Sequence, residues 1–518
     1  MPQIARTKTL SNSCFAETTA PYYSWVDERK NWIAVAHSYY AQWSGRNIPM
    51  RANSLLFYDI SSLELIGCID RLEYYVNDVC AHPDSSVIAV ATGQYDGGAF
   101  FEGKLLLWDA VTGDLRSVFT DNREVTRCVF IDNGKKLRFV ISPTDDLYDQ
   151  TYTETTYEIE YPVAGELSLE QLTPVSVVPV TSPHDVEDLK NGGAVAEQRI
   201  ASLAAKAGRY YAGKNMIWDI LFVDDHRIAA ARNQSTIEIW DTQTFEVKEI
   251  KLPEAGDCVQ LFLNTANQTL LVNCWVRNGW REQHNTFYAV HLPSLAIDEV
   301  IRCNHFLSRS KDNFFLARQT DLHDRTKEDF ILDSNYNIVY VNRLGHYDLF
   351  NHYLRIDDRE SLYFLQGDPS EGHENKVVCS IEPASGKVRK LWQIEKQPDH
   401  FNELTGVFCG GLLVLSGSRF PGSLDSFELF AIDLAAEKEV WRRTLPGRTS
   451  SLVQILGAVV VALTSGEILL IDVLGGQTIS TVIPVDNFTF QRPLSLAVRG
   501  GRFCVGLTNG EVRVYEVQ

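Results

Sequence analysis

The 518-residue chain has no long apolar run. Its longest, residues 455–463, is less than half of the roughly 20 apolar residues that a membrane helix needs. The N-terminal residues 1–8 contain no apolar core of the kind found in a signal peptide. We therefore expect a cytoplasmic protein without membrane insertion.

Positive charge is also in short supply. The chain has 48 Lys and Arg against 67 Asp and Glu, which gives a net charge of −19. Such an acidic protein is poorly suited to nucleic acid or to anionic membranes, and it favours a basic or mixed-charge protein partner. None of its 10 cysteines lies in CxxC spacing, and most lie within apolar strand-like runs. These cysteines are therefore expected to be buried and reduced, with no metal site or disulfide framework.

One pattern recurs along the whole chain. An alternating apolar strand ends in an acidic or polar residue, and a short turn and a second strand follow. The clearest copies occupy residues 55–59, 105–109, 237–241, 429–433 and 468–472. Weaker copies bring the count to ten between residues 54 and 510, about one every 51 residues. A unit of this length with four strands is typical of a β-propeller, in which stacked blades bury apolar faces that no single blade could bury.

The residues of some copies resemble known propeller repeats. Residues 77–84 followed by 107–113 look like a WD40 repeat, and so does Ile239-Trp240-Asp241. Residues 430–434 with 440–442 resemble a repeat of the quinoprotein (PQQ-like) propellers. The resemblance concerns repeat architecture and implies a fold without implying one function. The sequence thus predicts an all-β propeller of about eight to ten four-stranded blades over residues 1–518, with two separate propellers as the alternative.

Two segments fall outside the regular pattern. The last unit lacks a fourth strand, and we expect residues 4–10 to supply it by pairing with residues 510–517, which would close the ring. Residues 174–212 form an insertion that is partly helical. Residues 182–185 have a helix-start pattern, Gly192-Gly193 is expected to break the run that follows, and residues 194–211 have an amphipathic helical pattern. This helix either packs on the propeller or docks a partner.

The connections between second and third strands are long in six units. In a propeller these connections emerge on one face, and loops on a rigid scaffold are the usual place for binding. Their Trp, Tyr, Phe and Arg side chains are the types that anchor protein interfaces. The predicted partner-binding residues are Trp43, Arg46, Arg51, Tyr95, Phe101, Arg277, Trp280, Arg281, Arg419 and Phe420.

Catalytic motifs are missing from the sequence, and no cofactor is expected. The function predicted is therefore a non-enzymatic scaffold that presents its loop-rich face to a protein partner, either alone or as a subunit of a larger complex. The alternative is an enzyme or ligand-binding protein with a site in the propeller channel. Its candidate ligands are the carboxylates of Asp145, Asp146 and Asp149, which suit Ca²⁺, and the group His346, Asp348 and His352.

Overall fold

A computed structural model describes most of the chain. The described residues are 3–10, 14–15, 17–42, 49–95, 101–142, 152–163, 165–180, 186–209, 211, 216–278, 282–303, 305–319, 328–342, 344, 354, 356, 359–367, 376–394, 400–420, 427–482 and 492–518. They form ten antiparallel sheets and one α-helix, an all-β, propeller-like architecture. No described helix is both long and apolar enough to cross a membrane.

Contacts divide the chain into two units. The larger comprises Met1–Asn12, Gln42–Ile48 and Asn215–Gln518, and the smaller comprises Ser13–Ala41 and Pro49–Lys214. Seven of the ten sheets belong to the larger unit and three to the smaller. The periodicity of the sequence gave no sign of this division, because all ten sheets repeat the same pattern of apolar strands.

The seven sheets of the larger unit are numbered in chain order. Within each sheet the strands are given in the order in which they lie side by side, ending with the outermost strand. Their strands are β15 (Ile217–Phe222), β16 (Arg227–Arg232), β17 (Thr236–Asp241) and β18 (Val247–Lys251); β19 (Asp257–Asn264), β20 (Thr269–Asn278), β21 (Glu282–His291) and β22 (Ile297–Cys303); β23 (His305–Arg309), β24 (Phe315–Gln319), β25 (Asp329–Leu332) and β26 (Ile338–Asn342); β27 (Leu362–Gly367), β28 (Lys376–Ile381) and β29 (Val388–Gln393); β30 (His400–Cys409), β31 (Leu412–Phe420), β32 (Phe427–Asp433) and β33 (Lys438–Leu445); β34 (Thr449–Ile455), β35 (Ala458–Leu463), β36 (Ile468–Asp472) and β37 (Thr478–Val482); and β38 (Pro493–Arg499), β39 (Arg502–Leu507), β40 (Val512–Val517) and β1 (Ile4–Thr9).

These seven sheets pack in a cyclic order. Six apolar clusters each join one sheet to the next along the chain. A seventh cluster joins the last sheet to the first, where Cys504 and Val514 pack with Ile217 and Trp240. Strand β1 pairs antiparallel with the C-terminal strand β40, with Ile4 opposite Val517 and Thr9 opposite Arg513. The N-terminus of the chain therefore provides the outermost strand of the seventh sheet.

The smaller unit is a stack of three sheets with a helix at one end. Its elements are β2 (Pro21–Asp27), β3 (Trp32–Gln42), β4 (Pro49–Asp59) and β5 (Leu65–Leu72); β6 (Tyr75–Ala81), β7 (Val87–Tyr95), β8 (Phe101–Glu102), β9 (Leu105–Asp109) and β10 (Leu115–Ser117); β11 (Val125–Ile131), β12 (Lys136–Ile141), β13 (Tyr152–Glu160) and β14 (Ser176–Val180); and α1 (Val186–Lys206). Apolar clusters join the helix to the first sheet, the first sheet to the second and the second to the third.

Helix α1 differs from its sequence prediction at its start. It begins at Val186 and continues through Gly192-Gly193, which were expected to break it. The glycines allow a close approach instead, because a Cβ on Gly192 would lie 2.8 Å from the carbonyl oxygen of Tyr22. The helix buries Ile200 and Ala204 against the first sheet. It ends at Lys206 and is followed by the left-handed Gly208. The N–H groups of Gly208 and Arg209 donate to the carbonyls of Ala205 and Ala204 in the last turn.

A repeated polar contact ties neighbouring sheets together. The first strands of several sheets carry a β-bulge, which turns a polar side chain towards the next sheet. In the larger unit, Asp219 accepts a hydrogen bond from the N–H of Leu261 at 2.7 Å. In the smaller unit, Asp78 accepts one from the N–H of Cys128 at 2.9 Å. These bonds fix the spacing between the first strands of neighbouring sheets. Apolar packing alone would leave that spacing adjustable.

Candidate functional site

The described part of the predicted binding face lies at strand ends beside second-to-third connections. In the smaller unit Arg51 lies in β4, and Tyr95 in β7 pairs with Phe101 in β8. In the larger unit Arg277 lies near the end of β20, and Arg419 and Phe420 end β31. The other predicted residues, Trp43, Arg46, Trp280 and Arg281, lie outside the described residues. Whether the ten residues bind a partner stays a prediction.

Phe101 is the predicted residue whose side chain the structure describes. Its ring is 4% exposed, so a partner would have to uncover it to reach it. Residues 101–104 stay close to β7, because Phe101 pairs with Tyr95 and the N–H of Thr92 donates to the carbonyl of Lys104 at 2.9 Å. Only glycine fits at position 103, because a Cβ there would lie 2.1 Å from the carbonyl oxygen of Thr92. Residues 101–104 are thus a packed part of the sheet.

Near the described strand ends that lead into the second-to-third connections of the larger unit lies a set of charged side chains that the sequence analysis missed. We call it the buried charge layer. It consists of Arg–carboxylate pairs in the first, third, fifth and seventh sheets, namely Arg232–Glu238, Arg318–Asp329, Arg442–Glu428 and Arg513–Glu511. Three of the four pairs have both side chains no more than 6% exposed. The available signal was an Arg at or near the end of a mostly apolar strand, Arg232 in β16 and Arg318 in β24.

The buried charge layer also links sheets to each other. Arg232 donates to Glu238 at 2.6 Å and to the carbonyl of Gly510 in the seventh sheet at 2.7 Å. Arg318 lies 3.6 Å from Asp329 and donates to the carbonyl of Leu365 in the fourth sheet at 2.6 Å. A buried charge is costly unless it is paired and hydrogen-bonded, so each pair holds its side chains in one geometry. The sheet ends that carry the connections are thereby locked to their neighbours.

The second sheet carries a related cluster around Glu254. Its carboxylate accepts hydrogen bonds from Thr286 at 2.7 Å and His284 at 3.3 Å, and lies 3.2 Å from the Arg302 guanidinium. Burial pushes the pKa of Glu254 upward, but the bonds from Thr286 and His284 and the charge of Arg302 outweigh it, so the pKa lies below its usual value. Burial and the nearby carboxylate raise the pKa of Tyr288 to about 12. Glu254 is therefore a charged acceptor at neutral pH and cannot act as a proton donor there.

Two cavities lie on the third sheet of the smaller unit, with volumes of about 500 and 420 Å³. The larger is lined by Asp78, Cys128 and Arg138, among others. Burial raises the pKa of Asp78, although backbone N–H groups and the Tyr23 hydroxyl bind the carboxylate. The Cys128 thiol lies 3.5 Å from that of Cys80, and burial raises its pKa well above the usual value. A thiol held in its neutral form is a poor nucleophile, so this cavity lacks a reactive thiolate.

Metal binding has no support among the residues that the structure covers. They contain no group of three or more His, Cys, Asp and Glu side chains placed to hold an ion. The candidate ligands from the sequence lie outside the described residues: Asp145, Asp146, Asp149, His346, Asp348 and His352. Those hypotheses stay untested.

Comparisons with known proteins give no relative to argue from. No protein-family model matches the chain, and no curated protein matches it. The WD40-like and quinoprotein-like resemblances therefore remain resemblances of repeat architecture.

Proposed function

We propose that this protein is a non-enzymatic scaffold that binds a protein partner through the second-to-third connections of its larger unit. The buried charge layer is the observation that supports the proposal. Its Arg–carboxylate pairs lie near the strand ends that lead into these connections, and Arg232 and Arg318 donate hydrogen bonds to carbonyls of neighbouring sheets. Side chains that bind a partner are most effective when the residues beneath them are themselves held in place by packing and hydrogen bonds. The partner is basic or mixed in charge, because the chain carries a net charge of −19.

The test removes predicted anchors from one connection and compares them with an aromatic residue at the opposite end of the unit. The test variant is Trp280→Ala/Arg281→Ala. The control is Phe245→Ala, since Phe245 lies in the turn between β17 and β18 and is 49% exposed. Because strands alternate in direction, third-to-fourth turns lie at the opposite end of a sheet from second-to-third connections. Both variants are first shown to unfold at the temperature of the wild type.

Affinity capture from native lysate, read by mass spectrometry, then compares the three proteins. We expect a protein that wild type and Phe245→Ala retain and that Trp280→Ala/Arg281→Ala loses. If all three proteins retain the same set, the assignment to this end of the unit is wrong. Stoichiometric Ca²⁺ or a transition metal in the purified protein would instead favour a ligand or metal site in the channel.

A further inference from the structure

The larger unit has seven outermost strands, each with an edge that no described strand pairs with: β1, β18, β22, β26, β29, β33 and β37. Such edges invite pairing with other chains, and proteins protect them with charged residues, proline or bulges. Five of the seven contain Lys, Arg, Asp or Glu. A sixth, β37, is uncharged but consists mainly of Thr and Ser. Five of these edges therefore carry charge, and the sixth is more polar than apolar.

Strand β26 lacks that protection. Its sequence is Ile-Val-Tyr-Val-Asn, with no charge and no proline. Ile338, Val339 and Val341 are 49%, 40% and 51% exposed. The strand has a bulge opposite Ile331 and Leu332, but equivalent bulges occur in strands β29, β33 and β37 and do not set it apart. An exposed apolar strand of high β-propensity, at an edge that no described strand covers, is a template for another strand.

The exposed strand is also held firmly in place. It pairs with β25 from Asp329 opposite Asn342 to Leu332 opposite Ile338. The Tyr340 hydroxyl donates to the carbonyl of Ala384 in the neighbouring fourth sheet at 2.6 Å. The Tyr340 ring packs on Gly386, where a Cβ would lie 3.2 Å from it. A partner strand would therefore meet an edge that is already ordered, which lowers the entropy cost of pairing.

We propose that β26 binds an extended segment of a partner protein by strand addition. The segment has β-branched or aromatic side chains at alternate positions and Lys or Arg at its ends. Main-chain hydrogen bonds to the free edge supply affinity, and contacts with Ile338 and Val341 select apolar side chains. The basic ends follow from the net charge of −19. This surface is separate from the second-to-third connections, so it does not depend on the function proposed above.

A second copy of the chain fits the edge less well. Five paired residues span about 17 Å, and two such strands bury far less than the roughly 1,200–2,000 Å² of a stable interface. Two copies also bring together two net charges of −19. A flexible segment needs only the edge, and it supplies opposite charge where a second copy would add repulsion.

The experiment uses the full chain and a labelled peptide, Lys-Lys-Val-Thr-Val-Tyr-Val-Lys-Lys. Binding is measured by fluorescence anisotropy for wild type, for Val341→Lys and for a matched control, Val440→Lys. Val440 is 41% exposed on β33, an outermost strand of the same unit that already carries charges. Hydrogen exchange read by mass spectrometry then locates the amides that the peptide protects. A peptide with Glu in place of Lys tests the role of charge.

We expect wild type and Val440→Lys to bind equally and Val341→Lys to bind at least about tenfold more weakly, a loss of roughly 1.4 kcal/mol. Protection is expected at residues 338–342, and the Glu-flanked peptide is expected to bind more weakly. The proposal is overturned if the Lys-flanked peptide shows no binding up to about 1 mM, or if both variants lose binding equally. Concentration-dependent dimerisation that Val341→Lys abolishes would assign the edge to a second copy instead.

Discussion

Removing Arg232 tests whether the buried charge layer stabilises the larger unit. Arg232 and Glu238 are 2% and 6% exposed at their side chains and lie 2.6 Å apart. Arg232→Ala leaves the Glu238 carboxylate buried with the Trp240 indole N–H, 2.7 Å away, and removes the donor to Gly510. Stranding one charge of a buried pair costs about 3–5 kcal/mol. We therefore expect the free energy of opening the first sheet to fall by about that amount.

A matched control lies on the same strand. Arg227 begins β16 and pairs with Asp224 at 2.7 Å, but the two side chains are 43% and 38% exposed. Exposed pairs contribute about 0–1 kcal/mol, so Arg227→Ala is expected to change little. The two distances are nearly equal, and the pairs differ in burial and in the further hydrogen bonds of Arg232 and Glu238 to Gly510 and Trp240.

Hydrogen exchange of β16 and β17, read at the peptide level, is the assay, because the two-unit chain need not unfold in one step. The double variant Arg232→Met/Glu238→Gln removes both charges and keeps an acceptor for Trp240. Its free energy of opening the first sheet should be closer to the wild-type value than that of Arg232→Ala, since neither charge is left unpaired. Equal effects of Arg232→Ala and Arg227→Ala would refute the argument from burial.

Three further predictions concern pH and packing. Because the folded pKa of Glu254 lies below the usual 4.5, its contacts stabilise the fold above that pH and are lost as the pH falls through the folded value. In urea unfolding from pH 7 to 3, Glu254→Gln should be less stable than wild type near pH 7, and the gap should close below about pH 4.5; a constant gap would contradict this. Gly506→Ala places a Cβ 2.4 Å from Ile217 Cγ2, where the seventh sheet meets the first. Thermal unfolding should therefore show a loss of about 1–3 kcal/mol in stability. The control Gly501→Ala, whose Cβ has its nearest neighbour at 3.7 Å, should leave the stability nearly unchanged. Gly192→Ala should loosen α1, seen as faster proteolysis after residue 186, although alanine favours helix by about 1 kcal/mol; unchanged proteolysis would show that the close approach can relax.

Much of the fold followed from local patterns. Strands such as β9 and β36 are short apolar runs that end in an Asp, and the Asp carboxylate accepts hydrogen bonds from N–H groups of the next turn. That signal is local. The count of ten repeated units matches the ten sheets for this reason. The predicted helix break at Gly192-Gly193 was wrong, because a tertiary contact outweighs the local preference of glycine. Glycine disfavours helix, but at Gly192 the neighbouring strand leaves room for no other side chain.

The candidate site followed the sequence only in part. Long connections between second and third strands are visible as spacing, and so are their aromatic and Arg residues. The buried charge layer is not, because Glu238 reads as an ordinary polar residue of an alternating strand until Arg232 and Gly510 are brought to it. The exposed apolar edge of β26 was equally hidden, since its five residues look like a buried strand until the sheet order shows that β26 lies last.

The sequence by itself determined the all-β repeat, the number of sheets and the acidity of the surface, because these depend on residue type and on spacing within about 50 residues. Only the tertiary structure decided how the sheets are grouped. Each sheet has two apolar faces, and nothing in its own strands says which other sheet will cover them. That choice depends on contacts between residues as far apart as Ser495 and Ile217, where the seventh sheet meets the first and completes the cyclic order.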